Sequence, residues 1–203
     1  YDSLSKSLRK NGFSEDDITD VFLTHLHFDH CGGSIRWNSS REHFEPTFKN
    51  AKYWSNERHW KWATEPNARE KASFLKENIQ PIRESGQLFF LEESEKLMDG
   101  FETIFVNGHT DAMMLPVITS NGKTLIYCAD LLPSVGHLPV PYVMAYDTRP
   151  LLTLEEKAKF LNDAVKKEAV LFFEHDPVNE CASLSMTEKG VRAHQTGRLK
   201  DLF

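Results

Sequence analysis

Residues 19–33 read TDVFLTHLHFDHCGG, so an apolar, β-branched run feeds directly into three histidines and an aspartate spaced HxHxDH. In an extended segment, residues two apart point to the same side, so His25 and His27 can converge on one ion before the chain turns. Asp29 and His30, adjacent and past that turn, can aim elsewhere, and Gly32 and Gly33 let the backbone bend tightly just behind them. Neutral imidazoles and carboxylates are the ligand types that zinc and similar divalent ions accept. The spacing therefore predicts a metal site at the exit of a strand.

Around that segment the chain alternates helical stretches with short strand-like runs, which argues for an α/β domain. SLSKSLRKNG, with Leu4 and Leu8 four apart and Gly12 as a stop, reads as a short helix, and Ser14 before Glu15, Asp16 and Asp17 reads as a cap or turn. Residues 34–66 read as irregular and aromatic, and Asn67 with Glu70 marks the start of a helix over NAREKASFLKENIQP that Pro81 stops. Strand-like QLFFLE, FETIFV, MLPVIT and TLIYCA follow, the last two joined by a tight hairpin at Asn121-Gly122. DLLPSVGHLPVPYVMAYDTRP reads as a long loop. Thr153 and Glu156 box the start of a helix whose face is Leu154, Ala158, Leu161 and Val165, and the strand AVLFF comes next.

Three further segments place a His or Asp within about three residues of a buried-strand run: TIFVNGH gives His109, LIYCAD gives Asp130 and VLFFEH gives His175. Ligands from several strand ends can be gathered over one edge of a sheet. With His25, His27, Asp29 and His30 they make a seven-ligand set.

Other features narrow the function classes. At 203 residues a single domain over 1–203 is expected. A net charge of −6 argues against a nucleic-acid partner, leaving a small-molecule substrate. Cys31, Cys128 and Cys181 form no CxxC pair and read as buried small hydrophobes. No apolar run reaches the ~20 residues that cross a bilayer, so no membrane partner is expected and the cytoplasm is the expected location.

HLHFDHCGG, NGHT, CAD and FFEHD, in that order, resemble the metallo-β-lactamase superfamily. The resemblance implies an αβ/βα sandwich with a dinuclear site along one edge. It implies that His25, His27 and His109 hold the first metal, that Asp29, His30 and His175 hold the second, and that Asp130 bridges them. The ions would be zinc first, with iron, manganese or cobalt as alternatives. A hydroxide held by two such ions would attack a lactone or similar small ester, with Asp29 orienting it or shuttling a proton. Alternatives on the same ligand pattern are a phosphotriester or phosphodiester hydrolase and a mononuclear-iron thiol or persulfide dioxygenase.

Within the family, ADLLPSVGHLPVPYVMAYD and the segment NAREKASFLKENIQP resemble quorum-quenching lactonases of the YtnP type and parathion-hydrolase-like enzymes. The acyl-homoserine-lactone hydrolases carry a Tyr three residues after the bridging Asp, where this chain has Pro133; His137, Tyr142 or Tyr146 is the candidate replacement donor. Trp54, Trp60 and Trp62, with LLPSVGHLPVPYVM, are candidate walls for an apolar acyl or aryl group. The family places a β-rich half before its first motif, whereas 24 residues precede His25. Either that first segment is lacking, or the chain is an unusually short form whose exposed sheet edge would invite pairing with another chain as a homodimer.

Overall fold

Short apolar runs separated by Gly, Pro and Asn can bury themselves only by pairing into sheets, and the long amphipathic run after Pro150 only by packing on one. The structure, a computed structural model, describes residues 3–93 and 95–203. It divides into two compact units, one running to Glu92 and the other Glu93–Phe203.

In the first unit, α1 (Leu4–Lys10) starts at Ser3, whose hydroxyl accepts from Lys6 N, and unwinds at Asn11 into Gly12 at φ +85°. Such a left-handed residue is the common way for a helix to end. Ser14 and Asp17 cap each other around the 3-10 turn Glu15–Asp17. β1 (Asp20–Phe22), β4 (Lys52–Ser55) and β5 (Leu88–Phe90) form a parallel sheet in the order β1-β4-β5. Between β1 and β4 lie α2 (Phe28–Cys31) and the antiparallel pair β2 (Ile35–Trp37) and β3 (Phe44–Pro46). α3 (Glu57–Thr64) and α4 (Lys76–Glu84) make the crossover from β4 to β5. Leu23, Leu26, Tyr53, Trp60, Ile79 and Ile82 are the core of this unit. Tyr53 is wholly buried because its hydroxyl is satisfied, donating to Ser34 O and accepting from Phe48 N.

Two expectations fail here. Residues 34–66 are not irregular: β2, β3, β4 and α3 lie within them, each too short for periodicity to announce. The helix expected from Asn67 begins only at Lys76, and Pro81 sits inside it rather than ending it. The Asn67 side chain does accept from Glu70 N, but it closes a turn.

The second unit is built on a six-stranded sheet in the order β11-β10-β9-β8-β7-β6. Its strands are β6 (Phe101–Val106), β7 (Met113–Ser120), β8 (Lys123–Tyr127), β9 (Val170–Phe172), β10 (Cys181–Thr187) and β11 (Gly190–Gly197). All neighbours are antiparallel except β8 and β9, which are joined through α5 (Pro150–Lys166). Asn121 and Gly122 turn the β7–β8 hairpin at φ +50° and +76°, the expected tight turn. α6 (Leu199–Leu202) ends the unit against β10. Met113, Leu115, Ile126, Cys128, Leu161, Leu171 and Ala182 lie in its main core cluster, where burial of a large apolar side chain is worth about 1.5–3 kcal/mol.

α5 also departs from expectation. It starts three residues before Thr153, with Pro150 at its first turn where a missing N–H costs nothing. Its buried face is Thr153, Lys157, Phe160, Leu161 and Ala164, so Leu154, Ala158 and Val165 are only half-buried. Lys157 supplies the reason: a wholly buried lysine turns this face toward backbone carbonyls of the loop after residue 136.

Candidate metal centre

In the first unit the chain leaves β1 and stays extended through Leu23, whose N–H bonds to Trp54 O. Leu26, the residue between His25 and His27, is pinned on both sides of its backbone. Its N–H donates to His59 Nε2 at 2.9 Å, and its carbonyl accepts from Cys31 Sγ at 3.3 Å. Cys31 is therefore more than filler, yet burial and the Asp29 charge push its thiol up to about 12, which leaves it unreactive. With Leu26 fixed, the two imidazoles are presented together, their rings 4.7 Å apart edge to face. His27 immediately precedes α2, and that turn brings the His30 ring to 3.9 Å from the His25 ring, with Asp29 Oδ2 3.4 Å from His30 Nε2.

The rings are oriented from behind. Thr24 Oγ1 lies 3.1 Å from His25 Nδ1, and Glu70 Oε1 lies 3.3 Å from His27 Nε2. Glu70 is itself held by Trp62 Nε1 at 2.7 Å and Asn67 Nδ2 at 2.6 Å, both donating to Oε2. A buried carboxylate behind an imidazole is the usual second partner of a metal-ligating histidine. Glu70 escapes sequence reasoning because Asn67-x-x-Glu70 looks like a helix cap; its distance of 43 positions from His27 carries no motif. Trp60 is core, and Trp54 and Trp62 are tied by their indole N–H to Asp20 and Glu70, so each tryptophan has a structural task.

In the second unit His109 follows β6 through Asn107 and Gly108, whose N–H groups both donate to the Glu156 carboxylate, at 2.7 and 2.9 Å. A Cβ on Gly108 would stand 2.6 Å from Thr153 backbone atoms, so only glycine lets the turn after β6 approach the first turn of α5 this closely. Asp130 sits on the 3-10 turn Ala129–Leu131 after β8, behind a wholly buried Ala129 held at φ +43°. A non-glycine residue in that region costs about 1–3 kcal/mol and persists only where its surroundings demand it. His175 follows β9, and its N–H bonds to Pro133 O at 3.0 Å.

These strand exits bring three of the expected ligands together. Asp130 Oδ2 lies 3.1 Å from His109 Nε2, and Asp130 Oδ1 lies 3.3 Å from His175 Nε2. His109 Nδ1 faces Asp147 Oδ1 at 3.0 Å. Burial opposes charging of His109, but hydrogen bonds to Asp130 and Asp147 outweigh it and raise the imidazole to about 9. Asp147, in the long loop, has the same standing behind His109 as Glu70 behind His27. Nothing in YDTRP marks it beforehand. Glu174 also joins this group: Asp130, Glu174 and His175 each offer a ligand atom within 4.8 Å of the others. Tyr127 donates a short hydrogen bond to Glu174 and stacks on Phe172.

His137 lies on a 3-10 turn of the loop, its Nδ1 2.8 Å from Ser134 Oγ. Burial and then the Lys157 charge hold its imidazole below the ordinary value. Tyr142 and Tyr146 are exposed. Among the described residues no helix is long and apolar enough to cross a membrane. Within each unit the donors are imidazole nitrogens and carboxylate oxygens backed by buried carboxylates, a set that fits divalent transition metals.

Comparisons with known proteins bear on the fold and the family. A probable metal-dependent hydrolase from Staphylococcus aureus has a similar structure, with TM-score 0.84 and 22% identity over 96% of this chain and 67% of its own. AidC, a dizinc quorum-quenching lactonase solved with its product, gives TM-score 0.78 and 26% identity over 97% of this chain and 70% of its own. A mutant of AiiA from B. thuringiensis, with N-decanoyl-L-homoserine at its active site, gives TM-score 0.66 and 20% identity over 87% and 63%. A search of curated proteins found no match. The family model described as the metallo-beta-lactamase superfamily matches residues 2–175, most of the chain. With that match and the shared mixed α/β fold, the chain belongs to the metallo-β-lactamase superfamily.

Proposed function

We propose that this chain is a metal-dependent hydrolase that opens a lactone or a similar small ester. In this reading His25, His27 and His109 hold one divalent ion, Asp29, His30 and His175 hold a second, and Asp130 bridges the two. Zinc is the first choice of metal. The observation that carries the reading is the stance of Asp130, which gives one carboxylate oxygen to His109 and the other to His175. A carboxylate spread between two histidines is poised to bridge. When bound, two such ions supply a hydroxide near neutral pH and a Lewis acid for the scissile carbonyl.

The protein's own groups do the rest. Glu70 and Asp147 fix the imidazoles of His27 and His109 through Nε2 of the first and Nδ1 of the second, which would leave the opposite ring nitrogens to hold a metal. Asp29, with its side chain 44% exposed, is open enough to accept a proton from water or return one to the leaving group. His137, whose imidazole burial and then the Lys157 charge hold below the ordinary value, is the donor toward the leaving oxygen in place of the tyrosine that Pro133 replaces. Tyr142 and Tyr146 offer exposed rings to an apolar acyl chain. The likeness to AidC favours a lactone as the first substrate to try.

The test is metal analysis of the purified protein coupled to a panel of lactones, aryl esters and phosphotriesters, with oxygen uptake followed in parallel. Two ions per chain, lactone or ester turnover and its loss with chelator are expected. Asp130→Ala should lose both metal and turnover while keeping its circular dichroism. Parent turnover in that variant would overturn the ligand assignment. Turnover confined to phosphotriesters would change the substrate class, and one iron with oxygen consumption would identify a dioxygenase.

A further inference from the structure

The long loop from Leu132 to Arg149 contains one short 3-10 turn and three prolines, so few backbone hydrogen bonds of its own can hold it. Its ends are tied to proposed ligands. Pro133 O accepts from His175 N at 3.0 Å, Asp147 meets His109 Nδ1 at 3.0 Å, and Thr148 N donates to His109 O at 3.0 Å. Its middle is held by one side chain on α5. Lys157 is wholly buried, and its Nζ donates to His137 O at 2.6 Å, Pro139 O at 3.0 Å and Tyr142 O at 2.6 Å.

Among the described residues no carboxylate pairs with Lys157, so its three donors are matched by three carbonyls of one loop. A buried cation is expensive, and a methionine of similar length would fill the space at far less cost. A lysine here therefore makes sense for the shape it imposes. Burial pushes the ammonium down to about 8 while the Asp147 charge acts the other way, so the protonated form with three N–H donors prevails at neutral pH.

We propose that Lys157 is a positioning residue that clamps segment 137–142 in the one shape that lets the loop orient His109 through Asp147, present His137 to the leaving oxygen and present Tyr142 to the acyl part of the substrate. The specificity half of this proposal rests on the ester or lactone reading above; the clamp itself does not.

The experiment compares the parent chain, Lys157→Met and Lys157→Arg by hydrogen exchange of the loop and by kinetics on an acyl series from butyryl to decanoyl. In Lys157→Met, exchange should quicken in residues 133–147, while the strands of the sheet keep their protection. Turnover of the butyryl substrate should fall as His109 and His137 lose their support, and preference for the decanoyl over the butyryl substrate should fall about tenfold through KM. Lys157→Arg, which keeps charge and donors, should recover most of both properties. Met at parent protection and selectivity, or Met tolerated better than Arg, would show that the site only needs filling and would overturn the clamp. If neither variant folds, nitrogen-15 NMR of the parent decides. A slowly exchanging lysine ammonium at neutral pH upholds the clamp, and the absence of one overturns it. If the parent hydrolyses nothing in the series, the functional reading fails while exchange and NMR still judge Lys157.

Discussion

His109 is gripped by two carboxylates, and that grip has a measurable pH signature once metal is stripped. Burial disfavours the imidazolium, yet Asp130 and Asp147 outweigh burial and raise it to about 9 from an ordinary 6.5. The folded chain therefore holds this proton more tightly than the unfolded chain does. The resulting stabilisation is complete below about pH 6.5 and disappears as pH rises through about 9, at up to about 3 kcal/mol over the window. Urea midpoints of the metal-free protein should fall across that range, and Asp147→Asn should remove at least half of the fall. A flat profile in the parent would mean that the imidazole is not protonated between the carboxylates. In the loaded protein Asp147→Asn should weaken metal binding by about 10–100-fold, the usual effect of losing a partner behind a ligating histidine. Ligand candidates were legible at this scale because each follows an apolar run, as His109 follows TIFV and His175 follows VLFF. Their supports, Glu70 and Asp147, lie 43 and 38 positions away from the histidines they orient, and no local pattern encodes such a contact.

Between elements, the approach of the turn after β6 to the first turn of α5 depends on Gly108. A methyl group there would collide with the Thr153 backbone, and overpacking of this kind costs about 1–3 kcal/mol. Gly108→Ala should lower the thermal midpoint by about 3–10 °C and loosen metal binding as well, because His109 is the next residue. Gly33→Ala is the control: it lies beside the HxHxDH motif but has nothing within 4 Å of its would-be Cβ, so its midpoint should hardly move. Equal, negligible shifts in both variants would show that β6 and α5 do not need this contact. The same region shows which elements local chemistry announces and which it does not. The β7–β8 hairpin was plain from Asn121-Gly122, since left-handed dihedrals are local chemistry. The start of α5 was misplaced because Thr153 and Glu156 imitate a capping box, whereas Pro150 takes the first turn and Glu156 reaches out to Asn107 and Gly108. Tertiary partners had claimed the residues that local rules would have used.

For the whole molecule, the proposal makes metal a component of stability. If His25, His27, Asp29, His30, His109, Asp130 and His175 all ligate, binding must draw on a ligand set that the unfolded chain cannot assemble. An ion present at one hundred times its dissociation constant then adds about 2.7 kcal/mol, and a chain of this size shifts by roughly 2–4 °C for each kcal/mol. Chelation should therefore lower the thermal midpoint by at least about 5 °C for each ion removed. Zinc should restore it in a concentration-dependent manner, whereas magnesium should not, because imidazole nitrogen is a poor donor to that ion. Activity and midpoint should recover over the same zinc range. Recovery of the midpoint without activity would place the stabilising ion elsewhere, and a midpoint indifferent to chelator would mean that these imidazoles and carboxylates hold no metal at all.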